Sequence, residues 1–270
     1  MGMDSPYIIM ISSQKGGVGK TTVAVNLAVA LRLDKYKVLL VDADYLNPSV
    51  GFILGLENIN TGIRSVLNGK SSLENAISVH APTGLHVLGG ELSYDSDTLK
   101  PDELANLMVQ LKASKYDFIV IDTPPGFYPK EVVDNISEAL IVSTPEMASV
   151  VSAVRLAHKY EKKSLRHTLL LNMVKGKRYE LSIEEIEDTY GTRVGAIIPL
   201  DEIVPISSSE RIPAFIYGKR SEFVGGISKL AGLYSGQPLS VPKGRSGIFA
   251  RLLSIFRRKR SMPSLDADSE

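Results

Sequence analysis

Short apolar runs alternate with longer helix-like patterns over most of the chain. Each run is apolar nearly throughout, which is typical of strands covered on both faces of a parallel sheet. The pattern predicts strands at 7–11, 37–42, 85–88, 116–122, 139–143, 168–174 and 193–199. It predicts helices at 23–31, 63–67, 73–77, 101–114, 146–163 and 221–233, and one more that a capping box opens at Ser182 and Glu185. We therefore expect an α/β fold, with a doubly wound, mostly parallel sheet, over residues 1–234.

A glycine-rich segment, 13–22, separates the first strand from the first helix. Its three glycines let successive backbone N–H groups point at an anion, and the N-terminus of the following helix adds positive potential. Gly-Lys-Thr at the helix start predicts a phosphate-binding loop (P-loop), with Lys20 over the β- and γ-phosphates and Thr21 on Mg²⁺. The alternative, a chance glycine-rich turn, does not account for Gly-Lys-Thr in this position. The predicted nucleotide-binding residues of the loop are Lys15, Gly16, Gly17, Val18, Gly19, Lys20, Thr21 and Thr22.

Aspartates stand at the ends of two predicted strands. Asp42 ends the second strand, and Asp44 lies two residues after it. Asp122 ends the fourth strand. Open α/β sheets bind ligands at the carboxyl ends of their strands, so we expect these carboxylates to face a metal-bound nucleotide. Asp122 has the Walker B position, where a carboxylate holds the water shell of Mg²⁺ opposite Thr21. Two alternatives stay open: Asp42 as the cap of the next helix, and a plain turn after Asp122.

Composition excludes several classes of protein. There is no cysteine, which excludes disulfides and thiolate metal sites. No apolar run reaches the roughly 18–20 residues that a membrane span needs. The first residues do not resemble a secretory signal, so we expect a cytoplasmic protein.

The composition changes again after Tyr234. Residues 235–245 are rich in Gly, Pro and Ser and predict a flexible linker, and 246–260 place apolar residues on one helical face. Seven basic residues and no acidic one lie between 243 and 260, which is typical of an amphipathic helix at a membrane surface. The predicted membrane contacts are Ile248, Phe249, Leu252, Leu253, Phe256, Arg257 and Arg258. A helix docked on the protein's own core and a nucleic-acid contact are the alternatives. Residues 261–270 predict a disordered acidic tip.

The P-loop departs from the general pattern G-x-x-x-x-G-K-[ST], because Gln14 replaces the first glycine and Lys15 adds a second lysine. In this it resembles the deviant Walker A motif of the MinD/ParA family of P-loop ATPases. The resemblance implies that Lys15 reaches across a dimer interface to the partner subunit's nucleotide. It also implies that Asp44 orients or deprotonates the attacking water, and that Asp42 lies near Mg²⁺ through its water shell.

Other segments resemble the same family. The sequence D-T-P-P-G at 122–126 is similar to its switch II, and there the N–H of Gly126 would approach the γ-phosphate. Asn172 stands where the family's asparagine pairs with adenine, and 198–201, with Pro199 and Asp201, resembles its adenine-side loop. The resemblance implies ATP and Mg²⁺ as ligands. The tail resembles the membrane-targeting sequence of the MinD branch.

The resemblance leaves the branch to be decided. Ser49 stands where the MinD branch usually has asparagine. The order Asn-Pro-Ser at this point is similar to the Mrp-type branch instead. The metal-cluster carriers of that branch need cysteines, however, and this chain has none. Seven of the 31 basic residues but only three of the 30 acidic ones follow residue 242, so residues 1–242 lack the net positive charge that a ParA-like DNA-segregation ATPase would need.

We therefore interpret the chain as a MinD-like ATPase, an ATP-dependent homodimer peripheral on the inner face of the cell membrane. Its expected role is spatial positioning, of a division site or of a polar or motility apparatus. Its expected partners are a second copy, an anionic membrane surface and an unidentified activator or cargo protein, with nucleic acid unlikely. A non-catalytic, nucleotide-gated scaffold is the remaining alternative.

Overall fold

The computed structural model describes residues 5–56, 59–91, 101–126, 128–218 and 220–236. Its strands are β1 Tyr7–Ser12, β2 Val38–Asp42, β3 Ser78–His80, β4 Leu85–Leu88, β5 Phe118–Asp122, β6 Glu138–Ser143, β7 His167–Val174 and β8 Val194–Pro199. Its helices are α1 Lys20–Leu33, α2 Val50–Leu54, α3 Ile63–Leu67, α4 Leu73–Ala76, α5 Pro101–Ala113, α6 Lys130–Val133, α7 Met147–Glu161, α8 Ile183–Tyr190, α9 Ile203–Ser209, α10 Ala214–Tyr217 and α11 Glu222–Ser235. The alternation of strand and helix confirms the α/β class.

The strands form one sheet in the order β3-β4-β2-β5-β1-β6-β7-β8. All neighbouring pairs are parallel except β3 with β4. β1 lies between β5 and β6, and β5 also pairs with β2, so that Ile11 and Asp42 are both in register with Asp122. The carboxyl ends of β1, β2 and β5 therefore meet at one end of the sheet. We call this the carboxyl end, and the opposite end, where these strands begin, the amino end.

Each face of the sheet is covered by helices. Alternate residues of β1 point to opposite faces, with Ile8 and Met10 in one buried cluster and Ile9 and Ile11 in the other. The first cluster includes residues of α3, α5 and α7, and the second those of α1, α10 and α11. Because both faces are buried, the strands are apolar throughout, and the predicted doubly wound arrangement is confirmed.

Helix α11 fixes where the chain leaves the domain. It begins near the carboxyl end of the sheet, where the N–H of Phe223 donates to Asp201, just beyond β8. It ends at the amino end, where the ring of Tyr234 lies 6.0 Å from that of Tyr7 at the start of β1. The segment that follows Ser235 therefore departs from the end of the sheet opposite the P-loop.

Some elements differ from the prediction. The strand β3 and the helices α6, α9 and α10 were not predicted, and α11 runs to Ser235 rather than to about residue 233. The strand that was predicted at 168–174 is β7, which begins one residue earlier, at His167, and ends at Val174 as predicted. The capping box of Ser182 and Glu185 is present at the start of α8, as expected. The predicted linker from 237 onward, the amphipathic helix and the acidic tip lie outside the described residues. Within the described part, no helix is both long enough and apolar enough to span a bilayer.

Candidate nucleotide-binding site

The P-loop joins β1 to α1 and depends on glycine at two of its positions. Gly17 and Gly19 have φ of 76° and 88°, in the left-handed region that favours glycine. A Cβ on Gly19 would also clash with the side-chain nitrogen of Asn172. Gly19 is the N-cap of α1, and no side chain caps that helix. The N–H groups at the start of α1 are thus left for an anion, as a phosphate-binding loop requires.

Lys20 is buried at the base of this loop. Burial lowers the pKa of its ammonium, while the nearby carboxylates of Asp122 and Asp44 act in the opposite direction. The positive charge therefore lies beside two of the three aspartates that the sequence singled out. A buried cation at a helix N-terminus is suited to hold transferring phosphates.

Asp122 is fully buried, and neither of its carboxylate oxygens makes a hydrogen bond to the described residues. Burial raises its pKa to about 7, and the nearby Thr21 hydroxyl and Lys20 ammonium limit the rise. The hydroxyl of Ser49 donates to that of Thr21 at 3.2 Å, which leaves the Thr21 proton free to point elsewhere. Buried carboxylate oxygens without a partner are costly unless a cation joins them.

These groups fit Mg²⁺. The described residues contain no cluster of three or more His, Cys, Asp or Glu side chains that would hold a metal by themselves. Mg²⁺ does not need such a cluster, because it keeps several waters and binds through one or two carboxylates together with phosphate oxygens. Asp122 with the Thr21 hydroxyl is the donor set suited to that arrangement.

Asp42 has a different environment, although it also ends a strand. Its Oδ2 accepts the N–H groups of Ser49 and Val50, each at 3.0 Å, and its Oδ1 accepts the N–H of Asp44 at 3.3 Å. Val50 is the first residue of α2, so the capping alternative describes this geometry. Burial raises the pKa of Asp42 to about 6 despite the three donors. Its predicted place near the water shell of Mg²⁺ remains a prediction.

Asp44 is half-buried and accepts the N–H of Asn47 at 3.2 Å. Burial raises its pKa, and the Asn47 N–H and the Lys20 charge act against that rise. Its second oxygen has no recorded hydrogen bond in the described part of the chain. Asp44 is therefore placed beside the P-loop lysine with one oxygen available, which suits a group that positions a water.

The switch II segment is tied to the P-loop. The N–H of Gly126 donates to the carbonyl of Ser13 at 2.9 Å, and the Thr123 hydroxyl donates to the carbonyl of Ile11 at 2.6 Å. Gly126 has φ of 135°, which favours glycine. In this conformation the N–H of Gly126 is already hydrogen-bonded to Ser13. It could donate to a γ-phosphate, as predicted, only if the bond to Ser13 were broken.

Two of the side chains that were predicted to lie near adenine already make hydrogen bonds within the chain. Asn172 is buried at a bulge between β7 and β8, and its side-chain N–H₂ donates to the carbonyl of Val18 at 2.8 Å. The carboxylate of Asp201 accepts the N–H groups of Ile203 and Phe223, and thereby joins α9 to α11. Burial would raise the pKa of Asp201, but these donors lower it overall. Pro199 ends β8, two residues before Asp201. Their contacts with adenine stay predictions.

Lys15 lies partly exposed at the start of the loop, where its carbonyl accepts the Ser13 hydroxyl at 2.7 Å. No ion pair or hydrogen bond of its ammonium is recorded among the described residues. This cation is therefore available to a group outside the chain. Its predicted role across a dimer interface is compatible with that position but not tested by it.

Sequence reasoning missed two residues that support the site. Ser49 was noted only as a departure from the MinD branch, yet its hydroxyl donates to Thr21 and its N–H to Asp42. Asn26 is buried in α1, where its side chain donates to the carbonyl of Thr22 and accepts the N–H of Phe215. A polar residue within the otherwise apolar face of α1 was the available signal for Asn26.

Comparisons with known proteins identify the family of this chain. A family model described as an AAA domain matches residues 7–166. The septum site-determining protein MinD of Synechocystis is 33% identical over 225 residues, which cover 79% of this chain and 84% of that protein. The structure of MinD with Mg-ADP from Pyrococcus horikoshii has a TM-score of 0.79 at 31% identity, over 85% of this chain and 96% of that one. A MinC:MinD complex from Aquifex aeolicus gives 0.77 at 29% identity, over 88% and 98%. The chain therefore belongs to the MinD/ParA family of P-loop ATPases.

Proposed function

We propose that this protein is an ATP-switched homodimer that attaches reversibly to a membrane surface and positions other components of the cell. The observation that carries the dimer is the second P-loop lysine. Lys15 stands at the mouth of a phosphate-binding loop, and its ammonium has no recorded partner within the described chain. Two subunits that face each other through their P-loops would each supply this cation to the other's phosphates.

The chain's own residues have separate tasks in hydrolysis. Lys20 and the N–H groups at the start of α1 hold the β- and γ-phosphates. Asp122 and Thr21 hold Mg²⁺, which supplies charge neutralisation on the phosphate oxygens when it is bound. Asp44 orients the attacking water or accepts its proton, and Lys15 of the facing subunit stabilises the charge that develops.

Attachment is assigned to the tail, 246–260, whose sequence combines an apolar face with basic residues. Because α11 ends at the amino end of the sheet, the chain continues toward the tail from the end opposite the P-loop. A partner protein is supported by the similarity to a MinD that was solved in complex with MinC. A ParA-like role on DNA finds less support, because residues 1–242 carry no excess of positive charge.

The test of the dimer compares two lysines of one loop. Lys15→Ala should bind ATP but stay monomeric on size-exclusion chromatography with Mg-ATP, because it removes only the contact to the partner. Lys20→Ala should fail to bind ATP, and so should also fail to dimerise. If Lys15→Ala dimerises with ATP as the wild type does, the proposed contact between subunits is wrong.

A further inference from the structure

A second concave surface lies at the amino end of the sheet, far from the P-loop. It has a volume of about 740 Å³ and is formed by the segment between α1 and β2, the segment between α5 and β5, helix α4 and the start of β4. We call it the amino-end pocket and define it by Arg32, Lys35, Lys37, His86, Lys115 and Tyr116.

The charge of the pocket is mostly positive. Four of its lining residues are Arg or Lys, and the carboxylate that lines it is that of Glu74. No ion pair of Arg32, Lys35, Lys37 or Lys115 is recorded in the described ranges. Asp117 lies close to the main chain of Lys37 and accepts its N–H at 2.7 Å, so this second carboxylate is already engaged. The basic side chains are therefore left with unmet capacity for an anion.

Two features make the pocket more than a set of surface lysines. The Nε of Arg32 donates to the carbonyl of Gly84 at 2.9 Å, which fixes the guanidinium while its terminal N–H groups stay available. His86 and Tyr116 are joined through Nδ1 and the hydroxyl at 2.8 Å and form a polar wall. A fixed guanidinium with ammonium groups around it is a donor set that suits a phosphate.

Cations near a helix C-terminus also stabilise the helix dipole. This explains Arg32, which lies in the last turn of α1. Lys35 and Lys115, which follow the C-termini of α1 and α5, gain from the same effect, but helix dipoles explain neither Lys37 nor the fact that all four cations line one cavity.

The pocket opens beside the point where the tail leaves the domain. Tyr36 stands between Lys35 and Lys37, and its hydroxyl donates to the carbonyl of Ser235, the last residue of α11, at 3.4 Å. A tail that reaches a membrane would therefore bring the amino end of the sheet, and this pocket, toward the lipid headgroups.

We propose that the amino-end pocket binds a phosphate group, and that its source is the headgroup of an anionic phospholipid. The phosphate site stands on the residues above, whereas the lipid source rests on the membrane attachment proposed in the preceding subsection. The pocket would add a contact at the headgroup level to the contact that the tail makes in the acyl region.

The first arm of the test uses a soluble headgroup and does not involve the tail. The full-length protein, saturated with Mg-ADP so that the P-loop is occupied, is titrated with glycerol phosphate at constant pH. NMR follows the imidazole resonances of its histidines. We expect a saturable shift of His86, while His158 and His167, which lie elsewhere, stay unchanged. The double variant Lys37→Glu/Lys115→Glu should lose the shift, because charge reversal removes two of the four cations.

The second arm measures co-sedimentation with vesicles of phosphatidylcholine, with or without phosphatidylglycerol. The pocket variant should bind the anionic vesicles about tenfold more weakly than the wild type does, and show no difference on neutral vesicles. The matched control is Lys162→Glu/Lys163→Glu, which makes the same charge change on exposed residues after α7, also at the amino end but outside the pocket. The control should keep the His86 shift and lose less vesicle binding. All variants should bind ADP as the wild type does.

The two arms separate the sources of phosphate. Loss in both arms supports a lipid headgroup. A His86 shift that the pocket variant loses, without an effect on vesicles, supports the phosphate site but assigns it to a soluble phosphorylated compound and overturns the lipid source. Absence of any saturable His86 shift in the wild type overturns the site, and so does an equal loss in pocket and control variants. Failure of the tail to bind membranes would not affect the first arm.

Discussion

Asp42 and Asp122 show how two residues with the same sequence pattern take different roles. Both end apolar strands, and they are in register on neighbouring strands. Asp42 accepts three backbone N–H groups from the segment that follows it, whereas the oxygens of Asp122 have no hydrogen-bond partner in the described structure. The sequence could predict that both lie at the ligand-binding end of the sheet. It could not distinguish a cap from a metal ligand, because that depends on how residues 44–50 fold back.

The orphaned carboxylate of Asp122 predicts a cost to stability. Its pKa rises from 3.8 to about 7 in the fold, so between these values the folded protein keeps a proton that the unfolded chain releases. The free energy of unfolding must therefore fall as pH rises through this window. We expect Asp122→Asn to raise the melting temperature of the nucleotide-free protein at about pH 8, by about 2–4 °C for each kcal/mol recovered. The same variant should lose the added stabilisation by Mg-ADP.

Thermal unfolding with and without Mg-ADP, at several pH values, measures both effects. Asp188→Asn is the matched control, because Asp188 is an exposed aspartate of α8 and should change neither property. A lower melting temperature of Asp122→Asn at about pH 8, with Mg-ADP stabilisation retained, would mean that Asp122 is a structural residue.

Asp44 is predicted to act on the water rather than on the nucleotide. Asp44→Ala should bind ATP and dimerise, and hydrolysis should fall by about 10²–10⁴-fold, the usual contribution of a general base. Phosphate release and size-exclusion chromatography on the same sample separate the two properties, and the variant dimer should persist with ATP. Turnover at the wild-type rate would place the catalytic role on another residue.

The long elements were predictable from their periodicity, whereas only some of the short ones were. The core strands and the long helices α1, α5, α7 and α11 bury whole faces, and their sequences record that burial. By contrast, β3, α6 and α10 have three or four residues, which show little hydrophobic period, and they were missed although α4 and β4, of four residues each, were predicted. The segment 203–217 was not assigned to any element from its sequence. It forms α9 and α10, which a hydrogen bond from Phe215 to Asn26 ties to α1.

Helix α2 depends on one buried carboxylate at its start. Its N-cap, Ser49, makes no side-chain capping bond, and Asp42 accepts the first helical N–H instead. Asp42→Ala would leave three N–H groups without their acceptor, at a cost of about 1–3 kcal/mol for each one that stays buried. It would also relieve the desolvation of the carboxylate, so the sign of the global change is not the useful readout.

Hydrogen exchange at the start of α2 reports on the contact with Asp42 directly. Amide hydrogen exchange at Ser49 and Val50 should become faster in Asp42→Ala, with little change in the core strands. Asp44→Ala is the control, because Asp44 accepts only the N–H of Asn47 and should leave the exchange at Val50 as it was. Equal protection of Val50 in all three proteins would show that Asp42 does not hold this helix.

At the scale of the whole molecule, the P-loop and the end of α11 lie at opposite ends of the sheet. The P-loop follows β1 at the carboxyl end, and α11 ends beside Tyr36 and Tyr7 at the amino end. In the proposed dimer, one amphipathic tail alone would bind a membrane weakly. Two tails on one dimer would raise the effective concentration of the second tail and so increase the avidity by about 10²–10⁴-fold. On this proposal, ATP would control attachment through dimerisation, without any contact between nucleotide and tail.

The measurement that tests this account most directly is co-sedimentation of the full-length protein with anionic vesicles in Mg-ATP, Mg-ADP and no nucleotide. We expect strong sedimentation only with ATP. Phe249→Asp and Leu253→Asp should abolish it while ATP binding stays unchanged. Val109→Asp, at a residue of α5 that is 63% exposed, is the matched control and should sediment as the wild type does. Equal sedimentation in all three nucleotide states, or sedimentation that survives both tail substitutions, would contradict nucleotide-switched membrane attachment.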